Sequence, residues 1–320
     1  MSLGNSEVPS QALSLGAYWK LSASSRTASR NTQAGNIPSG GISLWRSFDH
    51  PKPDGSEPSP DRSTPNLYPG PSCRVAVLTA VVDRSGQGGT RKVKAAFEEV
   101  AARYAERGHT VSWPVSAEIV SMAIMGATKS KDSAHTLFVS VRAVESGVLD
   151  GLIAHEMGHM LRTESGHPSH SAEVFRALSR EVRIPRAAEG AFGQAFNHIQ
   201  DIYADDLAFL VFATDGDDRA YEFFSGWIEG NTTMRGRNRW KNVGLAATNG
   251  FALGNLVRHG RLSKDDPLWD RAREFDREAG LDVVGPLANF YANLPENPSP
   301  GAFIGQVNSL ATVMTQAAST

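Results

Sequence analysis

The segment His155-Glu156-Met157-Gly158-His159 constrains the fold of this 320-residue chain more than any other. Residues four apart share one face of a helix, so the two imidazoles reach a common point only if the segment is helical. From Leu152 to Leu161 the only charged residue outside the two histidines is Glu156, which favours a buried helix. The pattern predicts a metal-binding helix, with one Zn²⁺ per chain as the expected ion.

Glu156 lies beside the first of the two histidines and is the candidate catalytic residue. Its carboxylate can reach a water at the metal and act as general base without being a ligand itself. A surface helix with two solvated histidines is the alternative interpretation, and the apolar flanks argue against it.

Two histidines leave a catalytic zinc short of a ligand, because such sites usually have three protein ligands and one open position. The metzincin continuation requires glycine at position 162 and histidine at position 165. The chain has Arg162 and Ser165 there, so this continuation is excluded. His167 and His170, a few residues further on, are possible ligands.

A stronger candidate for the third ligand lies downstream, at Asn197, Asp201 and Asp205. Their i, i+4, i+8 spacing forms one polar stripe on an otherwise apolar helix, unless this face is simply exposed to solvent. A buried carboxylate needs a cation or hydrogen-bond donors, so Asp201 is the expected ligand. Asp205 is expected to accept a hydrogen bond from the outer N–H of a ligand histidine and so fix its tautomer. Asn197 is expected to hydrogen-bond the backbone or a ligand nearby. His198 remains an alternative ligand or, like Tyr203, a donor to the transition-state oxyanion.

The combined pattern resembles the zincin metallopeptidases of the gluzincin type, in which HExxH is completed by a carboxylate on a later helix. The segment Asp201-Ile202-Tyr203-Ala204-Asp205 is similar to their E-x-x-A-D signature, with aspartate in place of the ligand glutamate. The resemblance covers roughly residues 73–210. It implies a zinc peptidase with a small sheet, a backing helix and an active-site helix. Because aspartate is one methylene shorter than glutamate, the second helix is expected to approach more closely.

The rest of the chain predicts an α+β fold behind a Ser/Pro-rich arm. Residues 1–72 hold 9 of the 17 prolines and are expected to form an arm, a linker or a removable pro-segment. The catalytic domain is expected over 73–320, with a sheet lobe and active helix (73–165) followed by a helical lobe (166–320). Strands are expected at Cys73–Val82, Thr110–Val115 and Thr136–Val141, and helices at Thr90–Gly108, Val148–Arg162, 171–182, 187–213, 217–229, 240–258, 265–279 and 302–317.

Composition excludes several classes of protein. The 32 Lys and Arg against 34 Asp and Glu leave no basic footprint for nucleic acid. A single cysteine excludes an intramolecular disulfide framework and every multi-cysteine zinc site. The apolar runs are too short to span a membrane and no secretory signal is evident, so a cytoplasmic protein is expected.

These observations predict a zinc-dependent hydrolase, most simply a metallopeptidase that acts on a peptide or protein substrate. One alternative is a metal-binding pseudoenzyme or partner-binding module with a zincin fold, and another is hydrolysis of a non-peptide amide. Glu156 distinguishes the peptidase from the first alternative, because catalysis needs this residue and metal binding does not.

Overall fold

The computed structural model of the chain describes residues 77–212 and 218–319. The predicted arm at 1–72 and the start of the first predicted strand lie outside these residues. The described part confirms the α+β class, with a four-stranded mixed sheet followed mainly by helices. Within these two ranges, no helix has the length and apolar composition that a bilayer crossing requires.

The elements follow one another in two groups. The sheet lobe contains β1 (Leu78–Asp83), α1 (Thr90–Glu106), β2 (Val115–Val120), β3 (Gly126–Lys131), β4 (Ala134–Ser140), α2 (Val141–Glu145) and the motif helix α3 (Leu149–Glu164). The helical lobe contains α4 (Ala172–Glu181), α5 (Glu189–Phe212), α6 (Arg219–Met234), α7 (Arg239–Arg258), α8 (Pro267–Ala279), α9 (Val284–Ala292) and α10 (Pro300–Ser319). Short 3₁₀ turns at Pro168–His170 and Arg186–Ala188 flank α4.

The sheet presents one buried face to the motif helix. Its strand order is β1-β2-β4-β3, with β1, β2 and β4 parallel and β3 antiparallel to β4. Alternate residues of the two inner strands are buried, as the two-residue period of a strand requires; they include Val115, Ala117, Ile119, Leu137 and Val139. These side chains form one apolar core with α1 and α3. The sheet and α1 therefore support α3 from behind.

Two predictions about the strands are wrong. The nearly continuous apolar run at Cys73–Val82 is typical of a strand buried on both faces, but β1 is at the edge of the described sheet and Val77, just before it, is 63% exposed. The second strand begins at Val115 rather than at Thr110. Pro114 explains the shift, because proline has no N–H to donate to a ladder and is tolerated just before a strand begins.

β3 and the helices α2 and α9 were not predicted from sequence. β3 lacks apolar alternation because it is a polar edge strand with Lys129 and Lys131 exposed. The other predicted helices agree with the observed bounds to within about two residues, apart from α6, which continues to Met234.

α5 connects the cores of the two lobes. Its first half, through Tyr203, packs in the core of the helical lobe, and Leu207 and Val211 pack in the core of the sheet lobe. The helical lobe is centred on α7, in which every residue from Asn242 to Leu256 is buried. A helix buried on all sides has no amphipathic pattern. The stripe on α5 is therefore held between α3 on one side and α7 on the other.

Glu164, the last residue of α3, ties this helix to the sheet. Its carboxylate accepts hydrogen bonds from the backbone N–H groups of Ser112 at 2.8 Å and Trp113 at 2.9 Å. Nε2 of His135, on β4, lies 3.0 Å from the same carboxylate. One side chain thus fixes the end of the motif helix against the beginnings of two strands.

Gly158 sets the distance between α3 and α5. A Cβ atom at this position would overlap the carbonyl oxygen of Ala204, which lies on α5 between the two aspartates. The two helices can therefore cross this closely only because residue 158 has no side chain. At this crossing Oδ1 of Asp201 on α5 lies 3.5 Å from Nε2 of His159 on α3.

We expect Gly158→Ala to destabilise the fold by about 1–3 kcal/mol, because the added methyl group must displace the backbone of α5. Gly151→Ala, on the same helix, is the matched control, since a Cβ there meets nothing within 4 Å. It should be neutral or stabilising by up to about 1 kcal/mol. Urea unfolding of both variants measures the difference, and equal stabilities would contradict the tight crossing.

Candidate metal centre

The crossing of α3 and α5 brings three predicted ligand atoms together. Nε2 of His155 and Nε2 of His159 lie 3.1 Å apart. Oδ1 of Asp201 lies 3.8 Å from the first nitrogen and 3.5 Å from the second. Ligand atoms at about 2.0–2.1 Å from a tetrahedral zinc are about 3.4 Å from each other. The three atoms therefore have the spacing of one face of such a site.

Asp205 fixes the orientation of the first histidine. Its Oδ1 lies 2.7 Å from Nδ1 of His155, and its Oδ2 accepts a hydrogen bond from Nδ2 of Asn255 at 2.5 Å. A carboxylate only accepts hydrogen bonds, so Nδ1 of His155 carries the proton. In the neutral ring Nε2 then keeps its lone pair and points toward His159 and Asp201. This is the role that the sequence predicted for Asp205.

The electrostatic environment of the cluster favours a cation. Burial alone lowers the pKa of His155, but the charge and hydrogen bond of Asp205, with the charges of Asp201 and Glu156, outweigh it and raise the pKa to about 10. Burial raises the pKa of Asp201, but the nearby imidazoles of His159 and His198 and the charge of His155 hold it below its ordinary value. The carboxylate of Asp201 thus stays ionised beside the two imidazoles.

His198 lies behind Asp201 rather than beside the other ligand atoms. Its ring is buried, with Nε2 at 3.0 Å from Oγ1 of Thr248 and Nδ1 at 3.4 Å from Oδ2 of Asp201. The ring also stacks on Phe251, with the centroids 4.4 Å apart. His198 is therefore placed to orient the carboxylate of Asp201, which corrects the expectation that it could be a ligand or an oxyanion donor.

Tyr203 and His167 also lie away from the cluster. The hydroxyl of Tyr203 donates to Oε1 of Gln306 at 3.3 Å, on α10, so it cannot act as the expected oxyanion donor. Nδ1 of His167 lies 2.7 Å from Oγ of Ser169, and Nε2 lies 3.3 Å from the carbonyl oxygen of Glu296. His167 is therefore not placed to be a ligand. His170 is closer, and its Nε2 lies 2.7 Å from the outer nitrogen of His159, Nδ1.

The cluster opens into a cavity of about 460 Å³. The predicted residues on both helices line it: His155, Glu156, His159, Asn197, Asp201 and Asp205. The stripe on α5 therefore faces the motif on α3 across one space. Glu156 is only 4% exposed, and no described residue donates a hydrogen bond to its carboxylate or forms an ion pair with it.

The remaining walls of the cavity are mostly apolar. Aromatic side chains from α5, α6 and α7 form one wall: Phe209, Phe212, Phe223, Phe224, Trp227 and Phe251. β3 forms part of another, through Gly126, Ala127, Thr128 and Ser130. A largely apolar cavity with a few convergent polar groups is typical of a site that binds a small molecule or part of a larger substrate.

Sequence reasoning missed two residues that hold the cluster, Asn255 and Thr248. Both are on α7 and lie 50 residues from their partners Asp205 and His198. The available signal was the presence of polar residues in a helix too apolar to face solvent, since buried polar groups need partners. That signal identifies a buried polar contact but not the residue on the other side of it.

The chain belongs to the family of unknown function DUF5781, whose model matches residues 100–311. The matched region includes α3, α5 and α7, so it contains the whole cluster. No curated protein and no solved structure matches the chain.

We expect His155→Ala to abolish tight zinc binding and Asp205→Asn to weaken it by about 10–100-fold, because the amide orients the ring less strongly than the carboxylate. Competition with a chromophoric chelator measures both. Asp270→Asn, an exposed residue on α8, is the control and should bind like the wild type. Wild-type affinity in Asp205→Asn would contradict the role given to this carboxylate.

The buried His167 should make stability depend on pH. Burial and the charge of Arg162 lower its pKa to about 4, whereas a histidine in an unfolded chain has a pKa of about 6.5. The unfolded state thus binds more protons between these values, and the free energy of unfolding should fall as the pH decreases from about 6.5 to about 4.

His167→Gln cannot titrate, so its urea midpoint should depend less steeply on pH in this range. Some slope should remain, because burial also lowers the pKa of His135. Wild type and variant are compared after chelation of metal. Parallel curves would show that His167 is protonated in the folded state as readily as in the unfolded one.

Proposed function

We propose that the protein is a zinc-dependent hydrolase of peptide bonds, with His155, His159 and Asp201 as metal ligands and Glu156 as general base. The observation that carries the proposal is the convergence of three ligand atoms near the buried side chain of Glu156. No described residue donates a hydrogen bond to the carboxylate of Glu156. The order of a sheet, the backing helix α1, the motif helix α3 and the carboxylate helix α5 supports a zincin-like architecture.

The donor set fits a divalent transition metal. Asp205 leaves Nε2 of His155 directed at a carboxylate oxygen and at a second imidazole nitrogen. With its pKa raised to about 10, His155 carries a proton on Nε2 in the metal-free protein, and a divalent metal would displace that proton and take its place among the three atoms. Two imidazoles and one carboxylate are ligands typical of catalytic zinc, which would supply a Lewis acid for the carbonyl and lower the pKa of a water.

We infer that Glu156 moves the protons of the hydrolysis. It lines the cavity next to His155 and its charge acts on that ring, so its carboxylate would accept a proton from an attacking water and return it to the leaving nitrogen. Because no described residue donates a hydrogen bond to this carboxylate, its oxygens remain available for that water. A glutamate with a purely structural role at this depth would need donors of its own.

The position of the edge strand β3 favours a peptide as the substrate. It is one of the two edge strands of the described sheet, and four of its residues line the cavity. On the side away from β4 it has no strand partner among the described residues, so an extended peptide can form backbone hydrogen bonds there. The aromatic wall of the same cavity then favours a bulky apolar side chain next to the cleaved bond.

We expect Glu156→Gln to retain the fold and bound zinc but to lower turnover by about 10²–10⁴-fold, because the amide cannot accept the proton. The assay is cleavage of a peptide library, with aromatic, aliphatic and charged residues varied, by zinc-loaded full-length protein. Glu173→Gln, at an exposed position on α4, is the control for the loss of a carboxylate.

Equal cleavage by the wild type and Glu156→Gln would exclude Glu156 as the base. Zinc binding without cleavage of any peptide by the wild type would leave a metal-binding module and reject the peptidase proposal.

A further inference from the structure

We propose that His170, Ser169 and His167 form a positioning relay, a chain of hydrogen bonds that fixes the proton of His159 on Nδ1. The relay leaves Nε2 of His159 free for the metal and connects this ligand to the loop between α9 and α10. The inference deepens the proposed metal site and rests on it for the role of His159 as a ligand.

Four consecutive contacts make up the relay. Nδ1 of His159 lies 2.7 Å from Nε2 of His170, and Nδ1 of His170 lies 2.8 Å from Oγ of Ser169. The same Oγ lies 2.7 Å from Nδ1 of His167, whose Nε2 lies 3.3 Å from the carbonyl oxygen of Glu296. The chain of contacts thus runs without a gap from the metal cluster to a backbone carbonyl 129 residues beyond His167.

The position of every proton follows from the far end of the relay. The backbone N–H of Ser169 donates to Nδ1 of His167 at 3.2 Å, so this nitrogen carries a lone pair and Nε2 carries the proton. The carbonyl oxygen of Glu296 can only accept, which agrees with that tautomer. The hydroxyl of Ser169 therefore donates to His167 and has only its lone pairs left for His170.

The protons of His170 and His159 are fixed in the same way. Because Ser169 accepts, Nδ1 of His170 must be the donor, and in the neutral ring Nε2 of His170 is then an acceptor. Nδ1 of His159 must donate to that acceptor, which leaves the lone pair of His159 on Nε2. Nε2 of His159 lies 3.1 Å from Nε2 of His155 and 3.5 Å from Oδ1 of Asp201.

The fold holds the relay rigidly. Ser169 is fully buried in the 3₁₀ turn, and Nε2 of Gln200, on α5, donates to its carbonyl oxygen at 2.9 Å. The ring of His167 packs on that of Tyr203, with the centroids 4.4 Å apart. α5 thus carries the carboxylate ligand and also supports the turn that orients the histidine ligand.

Substitution of His170 tests the relay. His170→Gln keeps an acceptor near Nδ1 of His159, whereas His170→Leu keeps bulk and removes the acceptor. We expect zinc affinity, measured by chelator competition, to fall by about 10–100-fold in His170→Leu and to be within a few-fold of wild type in His170→Gln. Ser169→Ala should weaken binding as well, and Ser309→Ala, an exposed serine on α10, should not.

A second measurement does not depend on metal or on the folding of a variant. Long-range ¹H–¹⁵N NMR spectra of the metal-free wild type report which nitrogen of His159 carries the proton. We expect Nδ1 in the wild type, and a mixture of the two tautomers in His170→Leu if that variant is folded by circular dichroism.

The outcomes separate the relay from the proposed function. A proton on Nε2 of His159 in the wild type would overturn the relay, and so would wild-type zinc affinity in His170→Leu. If the wild type binds no zinc but the proton is on Nδ1, the relay stands and the proposed metal function fails. If the wild type binds zinc and His170→Leu and His170→Gln weaken it equally, the relay is rejected and the metal site is retained.

Discussion

The contact between Gly158 and Ala204 is the constraint on which the rest of the site depends. Gly158 lies between Glu156 and His159 on α3, and Ala204 lies between the two aspartates on α5. Because the backbones meet there, the carboxylates are at the level of the imidazoles, and short side chains are long enough to reach them. A larger residue at position 158 would separate the helices, and the aspartates would no longer reach the histidines.

The close crossing also creates a problem of charge, because it buries two carboxylates. Hydrogen bonds from the helical lobe compensate part of the cost of burying these carboxylates. α7 presents Asn255 to Asp205, and Thr248 to the histidine that contacts Asp201. A buried helix with polar residues is costly unless each finds a partner, so these positions explain why α7 is not uniformly apolar. The site is thus assembled from three helices, and the α5 stripe is held by polar contacts on both sides.

The parts of the site that sequence could predict are those set within one helix. The spacing of His155 and His159, and of Asp201 and Asp205, follows from 3.6 residues per turn, so each pair was visible locally. Contacts between helices were not visible, because they depend on how distant segments pack. His198 shows the limit of the local argument: its i−3 spacing from Asp201 placed it near the stripe, yet its ring faces α7 rather than the cavity. The strand β3 was missed for a related reason, since a polar edge strand lacks the alternation that marks a half-buried one.

The two histidines are supported in different ways, and the difference bears on the chemistry. Asp205 places a negative charge behind His155, whereas uncharged groups stand behind His159. A carboxylate behind a ligand histidine makes the ring more electron-donating, and this reduces the positive charge that a bound metal retains. Asp201 and Asp205 together already balance a divalent cation, and Glu156 adds a further negative charge in the same cavity. In the proposed site, a second supporting carboxylate, behind His159, would leave less positive charge to polarise a carbonyl. An uncharged relay can fix the tautomer of His159 without that loss, which gives a physical reason for histidines and a serine at this position rather than an acid.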